Sequence, residues 1–167
     1  MSIVFYSHKD NNYFLSNFYP HGTNEKLNIS YEKKSYPTSE HLYQALKFFN
    51  ETEYEKEWRN IIRTSNTPTI AKYLGHQFTH TKYKWQQKYK DLVLYYKNKV
   101  RHAGDLDSFE FKTNIMFEAC VSKYESSPSL KKKLCETTGI LGENTGGMWG
   151  IYGSNALGRI LMIIRDN

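Results

Sequence analysis

Apolar positions along this chain change period from two to 3.6 near residue 37, and that change predicts a small sheet followed by helices. Residues 3–6, IVFY, read as a short strand ahead of a polar turn at 8–13. A second extended stretch, LNISY with a basic turn inside 27–36, predicts a strand that pairs with the first. Pro37 ends it, and Thr38 carries the hydroxyl of a helix N-cap. In the helix that follows, Leu42, Ala45, Leu46 and Phe49 fall on one side and face a core. Glu40, Tyr43, Gln44 and Lys47 fall on the other.

Further helices follow in order. Thr52 caps a helix over about 53–63, with Trp58, Ile61 and Ile62 on its apolar side. Pro68 fits the first turn of the next helix and Gly75 its end. A long basic and aromatic helix is predicted over 82–102, broken by Ala103, Gly104 and Asp105. Helices over about 108–124 and 128–136 come next, the second started by Ser127 and Pro128. A glycine-rich stretch over 137–155 then leads into a final helix, which Asn155 is placed to cap. Neither a repeat nor a low-complexity linker interrupts this order, so the 167 residues read as one domain.

Composition narrows the class. Aromatic residues make up 16% of the chain, so the core and any pocket are expected to be aromatic. A net charge of +6 suits an anionic ligand or nucleic acid, although ordinary proteins reach it too. Two cysteines, Cys120 and Cys135, give no disulfide framework and read as reduced. The N-terminal residues lack the pattern of a signal peptide, and no apolar run is long enough for a membrane span. An intracellular, cytoplasmic location is the expectation, with no membrane partner.

Several side chains carry candidate chemistry. Glu40 stands in a helix first turn, where the dipole favours its carboxylate. There it could act as a base or stabilise a cation; acting as an acid near neutrality requires desolvation to oppose the dipole. The ordinary alternative is a first-turn acid placed for helix stability, with Gln44 and Lys47 in water. Asn17 and Phe18, in LSNFYP, read either as an aromatic plug or as a pocket lining in which Asn17 donates and Phe18 stacks. Arg59 and Arg63 suit a helix C-terminus or a phosphate. The lysines and aromatics of 82–102 suit a solvated face over a buried one, or nucleic acid. His76 and His80 have the i, i+4 spacing of some zinc sites but lack a third ligand, so no metal is expected. The glycine-rich stretch is neither a phosphate-binding P-loop nor a dinucleotide fingerprint. Its glycines let backbone amides approach a ligand, the last helix offers an anion site, and Trp149 can stack on a base or anchor the loop.

Three segments in order, LSNFYP, YPTSEHLYQALKF and the run from Trp149 to Arg165, resemble the YbiA-like, or NADAR, family of N-glycosidases. The last fits W-G-x-x-G-x-N-x-L-G-x-x-L-M-x-x-R, through Gly150, Gly153, Asn155, Leu157, Gly158, Leu161 and Met162. Ser65, Pro68, Ala71 and Gly75 match a further family segment. The resemblance implies a compact, helix-rich α+β domain with a small N-terminal sheet, and no cofactor. It implies hydrolysis of an N-glycosidic bond, with Glu40 catalytic. Substrates of the class are ADP-ribose attached to guanine, as nucleoside or in DNA or RNA, and ribosylamino-pyrimidine intermediates of riboflavin synthesis. Asn17, Phe18, His41, Gln44, Lys47, Arg63, Glu143, Trp149, Gly150 and Asn155 are expected to bind substrate, with Gln44 and Lys47 orienting ribose or phosphate oxygens and Phe18 and Trp149 sandwiching a base.

The chain departs from the family pattern at two places. The acid usually found a few residues before the Trp-Gly pair is absent from Asn144 to Met148, leaving Glu143 the nearest carboxylate. The family's tryptophan ahead of the helix that here spans about 108–124 is replaced by Leu106, Ser108 or Phe109, and Trp85 lies too early. The first departure keeps open a module that holds ADP-ribose or NAD without turnover.

Overall fold

The computed structural model describes residues 1–76, 86–100 and 108–167. Most of the HQFTH stretch, the beginning of the basic helix with Trp85, and the break at Ala103 to Asp105 with Leu106 lie outside the described residues. The chain divides into two compact units, one formed by 1–39 with 116–167 and the other by 40–115. The divisions fall inside helices, between Ser39 and Glu40 and between Ile115 and Met116.

The first unit holds all the described strands. β1 (Ser2–Phe5) lies parallel to β4 (Ile140–Glu143), with Ser2 opposite Ile140 and Phe5 opposite Glu143. β2 (Ile29–Tyr31) pairs antiparallel with β3 (Lys34–Tyr36). The expected pairing of the first two strands is therefore replaced by two separate two-stranded sheets. The reason is local. Glu32 and Lys33 both take positive φ, 47° and 65°, which makes a two-residue hairpin turn of the kind that suits strand twist. The hairpin gives β2 a neighbour in sequence, and β1 is left to the C-terminal part of the chain.

β4 is held from above by α7 (Ala156–Asp166), whose Ala156, Leu157, Ile160, Leu161 and Ile164 make a buried stripe. Gly158 lies on that stripe, where a Cβ would come 2.0 Å from the Leu141 carbonyl oxygen. The absent side chain lets the helix meet the strand backbone. α6 (Pro128–Cys135) packs on α7; Ser127 caps it by accepting from the Leu130 amide, with Pro128 at the first turn as expected.

The second unit is helical. α1 (Ser39–Leu46) enters it at Glu40, and α2 (Glu53–Arg63) is capped by Thr52, whose hydroxyl accepts from the Glu55 amide at 3.2 Å. α3 (Pro68–His76) packs on α2. α4 (Gln87–Tyr96) buries Tyr89, Val93 and Tyr96 and exposes Lys88, Lys97 and Lys99 on its flanks, the pattern of a solvated lysine face. It ends at Tyr96, short of the expected 102. Phe48 meets Trp58 edge to face and Tyr96 lies tilted against Trp58, with ring centroids 6.2 and 5.1 Å apart, to form an aromatic core. Burying each such ring contributes about 1.5–3 kcal/mol. α5 (Phe109–Ser126) runs through the division between the units.

Candidate active site

Glu40 is the second residue of α1, and the helix around it is not amphipathic in the expected sense. Glu40, Tyr43, Gln44 and Lys47 are as buried as Leu42 and Ala45, whereas Phe49 is 47% exposed. The alternative that left Gln44 and Lys47 in water is therefore overturned. Burial of this polar side is sustained because its members partner one another. The Gln44 side-chain amide donates to Glu40 Oε1 at 2.7 Å, and Lys47 Nζ lies 5.0 Å from the Tyr43 ring centre.

Desolvation pushes the Glu40 carboxyl up from its ordinary value. The Gln44 hydrogen bond and the charges of Lys72 and Lys47 pull it back down without reversing the shift. Burial thus wins over the charged neighbours, and the desolvation that an acid at this position requires is present. Two cations nearby still keep the ionised form within reach.

His41, beside Glu40, is buried and faces the other way. Its Nε2 is 3.0 Å from the Ser65 carbonyl oxygen, so that nitrogen carries a hydrogen and donates. The contact ties α1 to the turn between α2 and α3. Arg63 ends α2 and donates to the Asn60 side chain at 2.6 Å, while Arg59 donates to the carbonyls of Phe48 and Asn50. Arg59 thus closes the turn after α1.

In the first unit, Asn17 is engaged by its own surroundings. Its Oδ1 accepts from Ser39 at 2.9 Å and its Nδ2 donates to the Met116 sulfur at 3.1 Å. Phe18, next to it, is half-buried. The segment is fixed by Lys123, a fully buried lysine whose Nζ donates to the carbonyls of Phe14 and Ser16 at 2.7 and 2.9 Å. Burial lowers its pKa to about 8.

The C-terminal loop spends its amides on itself. Ile151 donates to the Glu143 carbonyl, Tyr152 to Thr145, Ser154 to Gly147, and Gly153 and Asn155 to Gly150. Gly150 is where the loop crosses itself: a Cβ there would lie 1.8 Å from the Thr145 oxygen. Asn155 stands at the N-cap of α7 with φ 51°, but its side chain makes no cap; Nδ2 donates to the Leu141 carbonyl instead. The Ala156 amide goes to Met148. The expected capping by Asn155 is thus replaced by a tie to β4. Trp149 and Glu143 are half-buried, and Glu143 continues β4.

The candidates therefore gather into groups: Glu40, Gln44 and Lys47 on α1; Asn17 with Ser39; and Glu143, Gly150 and Asn155 in one loop. Two contributors escaped the sequence reading. Lys123 had a visible signal, since it continues the i, i+3, i+4, i+7 stripe of Met116, Ala119 and Cys120. Lys72 had none. Among the described residues no group of three metal-ligating side chains occurs, and no helix is long and apolar enough to cross a membrane.

The profile of the NADAR domain matches residues 4–167, so the chain belongs to the NADAR domain family. Among solved structures, the NMR structure of the E. coli protein YbiA superposes with a TM-score of 0.63 at 26% identity, covering 99% of this chain and 83% of that one. No curated protein matches the chain.

Proposed function

We propose that this protein is an N-glycoside hydrolase that cleaves a ribose–base bond, and that its substrate is ADP-ribose attached to guanine. The observation that carries the reading is Glu40: a buried carboxyl, raised by desolvation and held by Gln44, in the S-E-H segment of a NADAR-domain chain. Cleavage of such a bond passes through a ribosyl cation and leaves the base with an electron pair to be protonated. A carboxyl with a raised pKa supplies that proton from its neutral form. The carboxylate left behind faces a developing cation, which it stabilises, and then takes a proton from the water that attacks the anomeric carbon. One water is consumed, and Glu40 returns to its protonated state.

Lys47, directly after the helix that carries Glu40, is assigned to the substrate's phosphate or ribose oxygens. Ribosylamino-pyrimidine phosphates present the same bond and form the alternative substrate class. The test is incubation of the protein with ADP-ribosylated guanosine, following free ADP-ribose, beside a parallel incubation with a phosphoribosylamino-pyrimidine. Release from the first supports the reading, release from the second alone moves the substrate to the riboflavin-type class, and saturable ADP-ribose binding without release from either makes the protein a binding module.

A further inference from the structure

Gln44 is fully buried, and its two amide atoms meet different neighbours. Nε2 donates to Glu40 Oε1, four residues back along α1. Oε1 is buried with no hydrogen-bond partner among the described residues. It is directed at Gly75 of α3, where a Cβ would come 2.0 Å from Gln44 Oε1, 2.8 Å from its Cδ and 2.9 Å from its Cβ. The conflict reaches the root of the glutamine side chain, so a methyl at 75 cannot be absorbed by moving the tip alone. Gly75 lies within the last turn of α3 rather than beyond its end, and its φ is not positive. Its lack of a side chain is therefore explained by space, not by backbone conformation or by the helix stop expected of it.

A donor facing Oε1 has a chemical consequence. A proton on that oxygen would point at an N–H hydrogen, so in the neutral carboxyl the proton must sit on Oε2. We infer that Gln44, held in place by Gly75, is a positioning residue that reserves Glu40 Oε2 as the oxygen that carries and delivers the proton. Gln44 acts through Glu40, and its amide nitrogen is spent there rather than on substrate. The unpartnered Oε1 is the cost of this arrangement, since a buried acceptor without a donor is unfavourable. The inference rests on the hydrolase reading for its catalytic meaning, but the arrangement of the carboxyl stands independently of turnover.

The experiment compares the full chain with Gln44→Ala, Gly75→Ala and the double variant. Two readouts are taken: titration of the Glu40 carboxyl by carbon-13 NMR, and the pH profile of kcat and KM on ADP-ribosylated guanosine. Loss of a hydrogen bond to the ionised form raises the Glu40 midpoint in both single variants. The expected fall in kcat is about tenfold to a hundredfold, with KM little changed, because the lost bond orients the reacting group. In the Gln44→Ala background the amide that a methyl at 75 would displace is already gone, so adding Gly75→Ala moves the Glu40 midpoint no further, although that methyl still meets the Cβ at 44. Gln44→Ala alone keeps the test open should the variants carrying Gly75→Ala fail to fold. A Glu40 midpoint that does not rise in Gln44→Ala, or midpoint shifts that add in the double variant, overturns the inference. A midpoint that moves as described in a protein that hydrolyses nothing supports the arrangement and overturns the hydrolase reading.

Discussion

Replacing Lys123 by methionine tests how the loop bearing Asn17 and Phe18 is held. The ammonium is fully buried, lies 5.7 Å from the Tyr19 ring centre and 5.2 Å from that of Tyr124, and donates to the carbonyls of Phe14 and Ser16. Burial lowers its pKa from 10.5 to about 8. At about 1.4 kcal/mol for each pH unit, charging it in the folded protein costs about 3 kcal/mol more than in the unfolded chain. The sign follows from proton counting. Between pH 8 and 10.5 the unfolded lysine still binds a proton that the folded one has released, so stability rises with pH. That stability is fully present above 10.5 and is lost as pH falls through 8. Buried tyrosines act oppositely at higher pH: burial pushes Tyr13 and Tyr96 up to about 12, so folding resists their ionisation. The useful window is therefore pH 7.5 to 9.5, in which the Lys123 contribution is about 2 kcal/mol. Urea unfolding of wild type and Lys123→Met across this window should show the wild type gaining that amount relative to the variant. The variant also leaves two carbonyls without their donor, so it is offset at every pH, and the slope is what carries the test. Parallel pH dependences in the two proteins would refute the reasoning.

The remaining predictions concern Glu40 and the C-terminal loop. Glu40→Gln should lower kcat by about 10²–10⁴-fold with an unchanged circular dichroism spectrum; comparable activity would remove Glu40 from the mechanism. Because burial raises the Glu40 pKa, kcat should fall as pH rises through it. Wild type should also lose stability relative to Glu40→Gln over the same rise, since a raised acid favours folding only while protonated; a flat difference would contradict the shift. Gly158→Ala should drive a methyl into the Leu141 carbonyl and cost about 1–3 kcal/mol, lowering Tm by several degrees in a calorimetric scan. Trp149→Ala should weaken ADP-ribose binding by about 1–3 kcal/mol in titration calorimetry, and equal affinities would return Trp149 to a purely structural role.

Local rules made some elements legible and long-range rules hid others. The caps at Thr52 and Ser127, the proline at 128 and the apolar stripe of α7 act within a turn or two, so the residues alone reveal them. The partner of β1 is chosen by what remains after the Glu32–Lys33 turn closes a hairpin, which no single segment encodes. α1 misled for a different reason. A helical wheel reports polarity, and polarity equals exposure only when polar groups lack partners; Glu40 with Gln44, and Lys47 over Tyr43, supply their own. The catalytic candidate was visible in its motif, whereas the neighbours that set its properties, Lys72 and Gly75, come from another helix.

The pairing of β1 with β4 also sets a timetable. Residues 2–5 leave the ribosome long before the strand that completes their hydrogen bonds, 140–143, and before the helix that covers it, which ends at 166. At roughly 5–20 residues per second, β1 waits several seconds as an open strand edge while the 40–115 unit is made and emerges. Tyr6, exposed directly after that strand, adds an apolar surface to the waiting edge. During that interval the nascent chain offers a template to any other strand, and chaperone capture during translation should fall on residues 2–6 rather than on the helices of 40–115.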